Sequence, residues 1–332
     1  MTKLGRPYAR SIAVIAVMAA ALAACGNDDE TPGAGGTDSQ APQLSGSIVI
    51  DGSSTVAPLS SVAADLFNET QPNVQITVGT SGTGGGFEKF CAGETDISDA
   101  SRPIDTEEPL EGPACQTNGI EYQEFLVAND ALTVVVNKEN TWATCLTVAE
   151  LKTIWEPAAE GTITNWNQVR SDFPDEPLEL YGAGTDSGTF DYFTDAINGE
   201  EGASRTDYQP TEDDNVTVQG VQGSKGGLGY FGFSYFEENE ATLNAVQIDN
   251  GNGCVSPSVE TAQDGTYAPL ARPLFIYPKA ESLQRPEVLA FVEYYVENAV
   301  EIAEEARFVP VNTTQQADLQ ADLEQLKTAS GG

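Results

Sequence analysis

The sequence predicts an α/β fold, and three observations carry that prediction. Runs of β-branched and aliphatic residues alternate along the chain with segments whose apolar residues recur at helical spacing. Three times a strand-like run enters a loop of Ser, Thr and Gly and a helix follows. The 332 residues, 40% of them hydrophobic, suffice for two units with separate cores.

Each element has its own signal. "GSIVIDGSSTVAPLSSVAADLFNE" begins as a strand over 47–51 and turns through Gly52, Ser53, Ser54 and Thr55. Pro58 then suits the first turn of a helix whose apolar face is Leu59, Val62, Ala63, Leu66 and Phe67. "VQITVGTSGTGGGFEKFCAGE" repeats the plan, with a strand over 74–78, a glycine and hydroxyl loop, and a short helix ending near Gly93. "TDISDASRPI" reads as a short strand and a polar turn. "ALTVVVNKEN", residues 131–140, is a continuous β-branched run and so a buried strand.

In "TVAELKTIW", Thr147 and Glu150 form a capping-box pattern that starts a helix. "LELYGAGTDSGTFDYFTDAING" is again strand, hydroxyl-rich loop and helix, with Ser187 as N-cap and Asn198-Gly199 as the stop. "GGLGYFGFSYFEEN" reads as strand and turn. From Arg272, "RPLFIYPK" is a strand, and Val288, Leu289, Phe291, Val292 and Tyr295 mark the helix after it.

The N-terminus belongs to export rather than to the fold. Lys3, Arg6 and Arg10 precede the apolar "SIAVIAVMAAALAA", a signal-peptide pattern over residues 1–24. It ends in "LAAC", which resembles the lipobox of bacterial lipoproteins, so Cys25 is expected to carry lipid and hold the chain at a membrane. Residues 26–45 are rich in Gly, Pro, Ser, Thr and acids with one large apolar residue, Leu44, and read as a tether.

Composition excludes several functions. The chain has no histidine, which removes Ser-His-Asp and Cys-His pairs and the usual zinc sites. No cofactor or metal is expected. Without residues 1–24 the chain keeps 12 Lys and Arg against 51 Asp and Glu, a net charge of −39, so nucleic acid is excluded as a partner. Such an acidic surface suits salty surroundings. Cys91, Cys115, Cys145 and Cys254 remain, an even number in an exported chain, and predict two disulfides in one of three pairings.

The recurring loops point to anion binding. Glycine lets a loop turn its backbone N–H groups inward, and a helix start adds unpaired N–H groups and the positive end of the macrodipole. Ser187 is also the natural N-cap of its helix, and "GTGGG" at 82–86 lacks the dinucleotide-binding glycine pattern because Phe87 follows it.

"DGSSTVAPL", "GTSGTGGGFEKF", "DISDASRPI", "GTDSGTFDYF", "GLGYFGFSYF" and "RPLFIYPK" resemble, in this order and spacing, the phosphate-binding lipoproteins of bacterial phosphate ABC transporters. The resemblance runs from about residue 46 to about residue 310. It implies a periplasmic-binding-protein type II fold, two α/β lobes joined by a two-strand hinge that close on one anion. Residues 46–131 with 275–332 would form the first lobe and 132–274 the second, with "ALTVVV" and "RPLFIY" as the crossings. Pairing Cys91 with Cys115 and Cys145 with Cys254 keeps each disulfide within one proposed lobe.

Carried over by motif, the phosphate ligands would be Ser54, Thr55, Ser81 with help from Thr83, and Ser187, Gly188 and Thr189. Many relatives carry an arginine before the Ser-Gly-Thr, where this chain has Ala183, so Arg102 of "DASRPI" is expected to supply the charge. Some relatives use an aspartate in that loop to accept the proton of hydrogen phosphate. Here Asp51, Asp99 and Asp186 are the candidates.

The expected function is high-affinity extracytoplasmic phosphate binding by a monomer that hands the ion to an ABC permease and does no chemistry. Other tetrahedral oxyanions, sulfate or molybdate, form the nearest alternative. An exported phosphatase would need a nucleophile with a metal or histidine, and a surface interaction protein would show no anion-dependent closure.

Overall fold

The computed structural model describes residues 43–107 and 111–330. The signal peptide, Cys25 and most of the tether lie outside the described residues.

The first part of the chain builds β1 (Gly46–Gly52), α1 (Ala57–Thr70), β2 (Val74–Gly79), α2 (Gly82–Cys91), β3 (Ile97–Ala100) and α3 (Glu111–Thr117). Strand β4 (Phe125–Asn137) leads into β5 (Cys145–Thr147), α4 (Val148–Trp155), α5 (Trp166–Val169), β6 (Glu179–Ala183), α6 (Gly188–Asn198), β7 (Gln209–Thr211) and α7 (Asp214–Gly223). There follow β8 (Gly227–Gly232), α8 (Phe233–Asn239), β9 (Leu243–Ala245), β10 (Gln247–Asp249), β11 (Cys254–Val255) and α9 (Val259–Gln263). Strand β12 (Ala271–Pro278) returns, and α10 (Pro286–Glu297), α11 (Ala299–Glu305) and α12 (Thr313–Ser330) complete the fold.

Strands are ordered β2-β1-β3-β12-β4-β8-β6-β7, with β9 also on β4, while β11-β10-β5 form a small second sheet. β1 runs parallel to β2 and β3, and β6 parallel to β7 and β8, as strand–helix–strand units require. β4 and β12 are the exceptions. They pair antiparallel through Ala131–Ala271 and Asp130–Arg272, one strand going out and the other returning.

Two large cores lie on either side of that crossing. One takes Ile48, Leu59, Phe67, Ile97, Val127, Leu274, Phe291, Tyr295 and Leu323, so the C-terminal helices cover the first strands. The other takes Leu132, Val134, Trp155, Phe193, Leu228, Tyr230 and Leu270. Phe193 and Tyr230 stack in it at 3.8 Å, and Trp155 meets both edge-on. This is an α/β fold of two lobes joined by two strands. The disulfides are Cys91–Cys115, between α2 and α3, and Cys145–Cys254, between β5 and β11.

The local signals hold where capping chemistry was specific. Thr147 accepts from the Glu150 amide at 3.1 Å while the Glu150 carboxylate accepts from the Thr147 amide at 2.8 Å. Ser187 accepts from the Thr189 amide, and Gly199 ends α6 at φ 84°.

Three boundaries differ from the sequence expectation. Strand β4 starts at Phe125, six residues before the β-branched run, because Asn129 and Asp130 are buried with partners: Asn129 with Gln315, and Asp130 with Arg272. The 82–86 glycines are the first turn of α2 rather than a loop. A Cβ on Gly86 would lie 2.4 Å from the Gly52 Cα, and one on Gly52, at φ 150°, would lie 2.0 Å from the Asp99 carbonyl oxygen. Close approach of helix to strand end therefore outweighs the helix cost of glycine, about 1 kcal/mol per residue. Finally, "FSYFEEN" forms α8 rather than a turn, its aromatic Phe233 buried between the lobes with Ala131 and Val309.

Candidate functional site

The ends of β1, β3 and β6 and the starts of α1, α2 and α6 converge on the crossing strands, and a cleft opens there. A cleft of about 490 Å³ is bordered by Ser54, Thr55, Ser81, Thr83, Arg102 and Gly188 from the expected set, with Ser101, Asp191, Tyr192 and Arg272 besides. A smaller cavity of about 220 Å³ shares Ser54, Thr55 and Gly188 with it and adds Ser187 and Thr189. The lobes are close at this point: a Cβ on Gly188 would lie 3.1 Å from Ser54 Oγ, Thr55 N and Thr55 Oγ1. Two helix starts, one from each lobe, thus face each other, each with first-turn N–H groups that have no partner within their own helix.

Arg272 is the residue the sequence reading missed as part of the site. Its Nη2 donates to Thr55 Oγ1 at 2.7 Å, its Nη1 to Ser101 Oγ at 3.0 Å and its Nε to Asp130 Oδ2 at 3.3 Å. The guanidinium lies 3.4 Å from the centroid of the Tyr192 ring, whose hydroxyl donates to the Pro269 carbonyl at 2.7 Å. These contacts use three of the five N–H donors of an arginine and fix the plane of the fork. Thr55, by accepting, leaves its own hydroxyl hydrogen to point elsewhere. No local motif marks Arg272, since Thr55 is 217 positions away and the β4–β12 register makes the meeting. The faint signal was an arginine at the head of an otherwise apolar strand.

Arg102 is placed differently from expectation. It borders the cleft, but its Nη2 donates to Glu111 at 2.6 Å, its guanidinium lies over Phe87, and its side chain is 46% exposed. Arg272 is 17% exposed and is the better buried cation.

The serine and aspartate assignments also divide. Both the amide and the hydroxyl of Ser81 donate to Asp51, at 3.0 and 2.6 Å, so in this geometry neither is directed to a ligand. Lys89 donates to the same carboxylate at 2.6 Å. Burial would raise the Asp51 pKa, but Lys89 and Ser81 together hold it below the ordinary value. Thr83 and Ser101 share a hydroxyl contact of 3.0 Å.

Asp99 is fully buried, accepts from Ser60 at 2.8 Å and borders neither cavity. Burial, with repulsion from Asp51, pushes its pKa up to about 8. Asp186 is exposed and borders neither cavity. Asp191, four residues beyond Ser187, is the aspartate of that region that faces the larger cleft, where its Oδ2 accepts from Ser54 Oγ at 3.4 Å. Burial raises its pKa, with Ser54 and Arg272 opposing.

Hydroxyls from both lobes, facing helix starts and a fixed arginine on the crossing define the class: a two-lobed α/β protein with a cleft of hydrogen-bond donors suited to a small anion. Residues 37–299 match the model of the PBP superfamily domain. The protein SphX of Synechocystis sp. is 51% identical over 270 residues, covering 81% of this chain and 80% of that protein. The phosphate-binding protein PstS of Staphylococcus epidermidis is 37% identical over 290 residues, covering 87% and 84%. The crystal structure of a possible phosphate binding protein from Planctomyces limnophilus superposes with a TM-score of 0.81 at 47% identity, covering 86% of this chain and 99% of that one. The chain belongs to the PBP superfamily and, within it, to the family that includes SphX and PstS.

Proposed function

We propose that this protein is an extracytoplasmic receptor that binds inorganic phosphate and delivers it to the permease of an ABC transporter, without chemistry on the ion. The observation that carries the reading is Arg272, held by Thr55, Ser101, Asp130 and Tyr192 at a cleft lined by hydroxyls and helix starts from both lobes. A dehydrated anion must recover the hydrogen bonds it gave up in water. Ser54, Thr55, Ser187, Gly188 and Thr189 would return them from hydroxyls and helix-start amides, the remaining donors of Arg272 would add charge, and Arg102 would add field from the cleft edge.

The lobes would divide as residues 46–131 with 275–332 and 132–274, hinging about β4 and β12. With Arg272 on β12 and Asp130 on β4, the charge stays on the hinge while the two sets of donors close on it. Lipidated Cys25 and residues 26–45 would keep the receptor near its permease. The net negative surface does not prevent binding, because exposed charges beyond roughly 8 Å are largely screened at physiological salt while the cleft donors touch the ion.

Titration calorimetry of the phosphate-stripped protein tests the reading. Tight one-to-one binding of phosphate that excess sulfate does not displace is expected. Absence of heat with either anion from a folded, ligand-free protein would refute it. Release of phosphate from an aryl phosphate, lost on Ser187→Ala, would point instead to a phosphatase.

A further inference from the structure

We propose that Arg307 is a latch between the lobes: through its contacts with α8 it holds the cleft shut away from the ion and so slows the ion's release. This rests on the reading of a receptor that closes on phosphate and deepens it. Among the described residues, Arg307 is the only non-glycine residue at positive φ, 63°. It stands at the end of α11, where its N–H donates to the Glu304 carbonyl at 3.1 Å and that of Phe308 to the Ala303 carbonyl at 2.8 Å. That pattern ordinarily places glycine at this position, because an L side chain is strained there. Capping α11 therefore does not need an arginine.

The side chain reaches out of its own lobe. Its Nη1 donates to Glu238 at 3.0 Å, its guanidinium lies 4.9 Å from the centroid of the Tyr235 ring, and its carbonyl accepts from Ser234 Oγ at 3.0 Å. All three partners are on α8, in the other lobe. Beside them, Phe233 packs with Val309, so the polar contact has an apolar floor.

The position of α8 makes this a closing contact. Strand β8 runs parallel to β6, so α8 leaves its sheet at the same edge as the Ser187 loop that follows β6, the edge facing the first lobe. Arg307 precedes by two residues Val309, which pairs with Asn129 on β4 before that strand crosses. The cavity of about 220 Å³ has Arg307, Ser234 and Tyr235 on its wall together with Ser54, Thr55, Ser187 and Thr189. Asp214 borders it too; burial, with Asp213 and Glu212, pushes its pKa up to about 6, and Arg307 opposes the rise. A cation of the first lobe thus meets an acidic wall of the second, and opening about β4 and β12 parts them.

The test uses the full protein, Arg307→Gly and Glu238→Gln. Calorimetry gives phosphate affinity, and a chase of labelled phosphate by excess unlabelled phosphate gives release. In Arg307→Gly an exposed ion pair and a cation–π contact are lost, so release should quicken by roughly 3- to 30-fold, with association changed by less than about twofold. The urea midpoint should hold or rise, because glycine relieves the strained backbone. Glu238→Gln, an exposed change that leaves the fold intact, should quicken release less and add nothing on top of Arg307→Gly.

Unchanged release in folded Arg307→Gly overturns the proposal, and a lowered urea midpoint beside it would reduce Arg307 to a helix cap. Slower release overturns it as well, since the contact would then hold the lobes apart. Failure of the unaltered protein to bind phosphate would sink the receptor reading, and the latch with it.

Discussion

Replacing Arg272 by Gln separates what this residue does for the fold from what it does for the ligand. The side chains of Arg272 and Asp130 are 17% and 7% exposed, so the variant leaves a buried carboxylate without its cation. Breaking one half of such a pair costs about 3–5 kcal/mol of stability. Charge-assisted bonds to the anion are lost too, at about 1.5–3 kcal/mol each, and two of them correspond to roughly 10²- to 10⁴-fold in affinity.

The double variant Arg272→Gln with Asp130→Asn keeps the shapes but removes the orphaned charge. It should recover most of the stability, read by urea unfolding, and none of the affinity, read by calorimetry. Arg272→Lys should bind with intermediate strength, because a point charge cannot reach Thr55, Ser101 and Asp130 together. A folded double variant that bound phosphate within about threefold of the unaltered protein would reduce Arg272 to a structural residue, whatever its place in the cleft.

Four further outcomes are expected. Arg102→Ala, whose cation is half-exposed and paired with Glu111, should weaken phosphate binding by no more than about fivefold, and a larger loss in calorimetry would restore it as the principal charge. Gly188→Ala would set a methyl group 3.1 Å from Ser54 and Thr55, and overpacking of about 1–3 kcal/mol should cost roughly 10- to 100-fold in affinity with little change in the urea midpoint. Asp99 titrates at about 8 when folded and at 3.8 in its ordinary state, so the unfolded chain loses this proton first. Its contribution to stability should fall by up to about 1.4 kcal/mol per pH unit as pH rises through that window and level off above it, a fall absent from Asp99→Asn in unfolding measured from pH 4 to 8. Replacing Cys145 and Cys254 by Ser, 109 positions apart, should cost about 4.8 kcal/mol, and replacing Cys91 and Cys115, 24 apart, about 3.5 kcal/mol; the reverse order in urea unfolding would contradict a chain-entropy origin.

Taken by itself, the sequence determined what depends on neighbours in the chain. The capping box at Thr147, the N-cap at Ser187 and the stop at Gly199 follow from backbone groups within a few residues, so their chemistry can be read locally. The helical face of Leu59, Ala63 and Phe67 and the β-branched run of β4 follow from periodicity alone. Those signals suffice for an α/β fold and for hydroxyl loops at helix starts.

What tertiary structure alone decided is where charge resides. Arg272 and Asp130 meet because two strands 142 positions apart share a register, and that register also hides Asp130 within a strand whose pattern it breaks. Asp51, Asp99, Asp186 and Asp191 are the same residue type, each within a few positions of a hydroxyl-bearing loop. Folding saturates the first, buries the second, exposes the third and turns the fourth toward the cleft. Burial and partner, the two quantities that set what a carboxylate can do, are properties of the assembled molecule and are not written in any short stretch of chain.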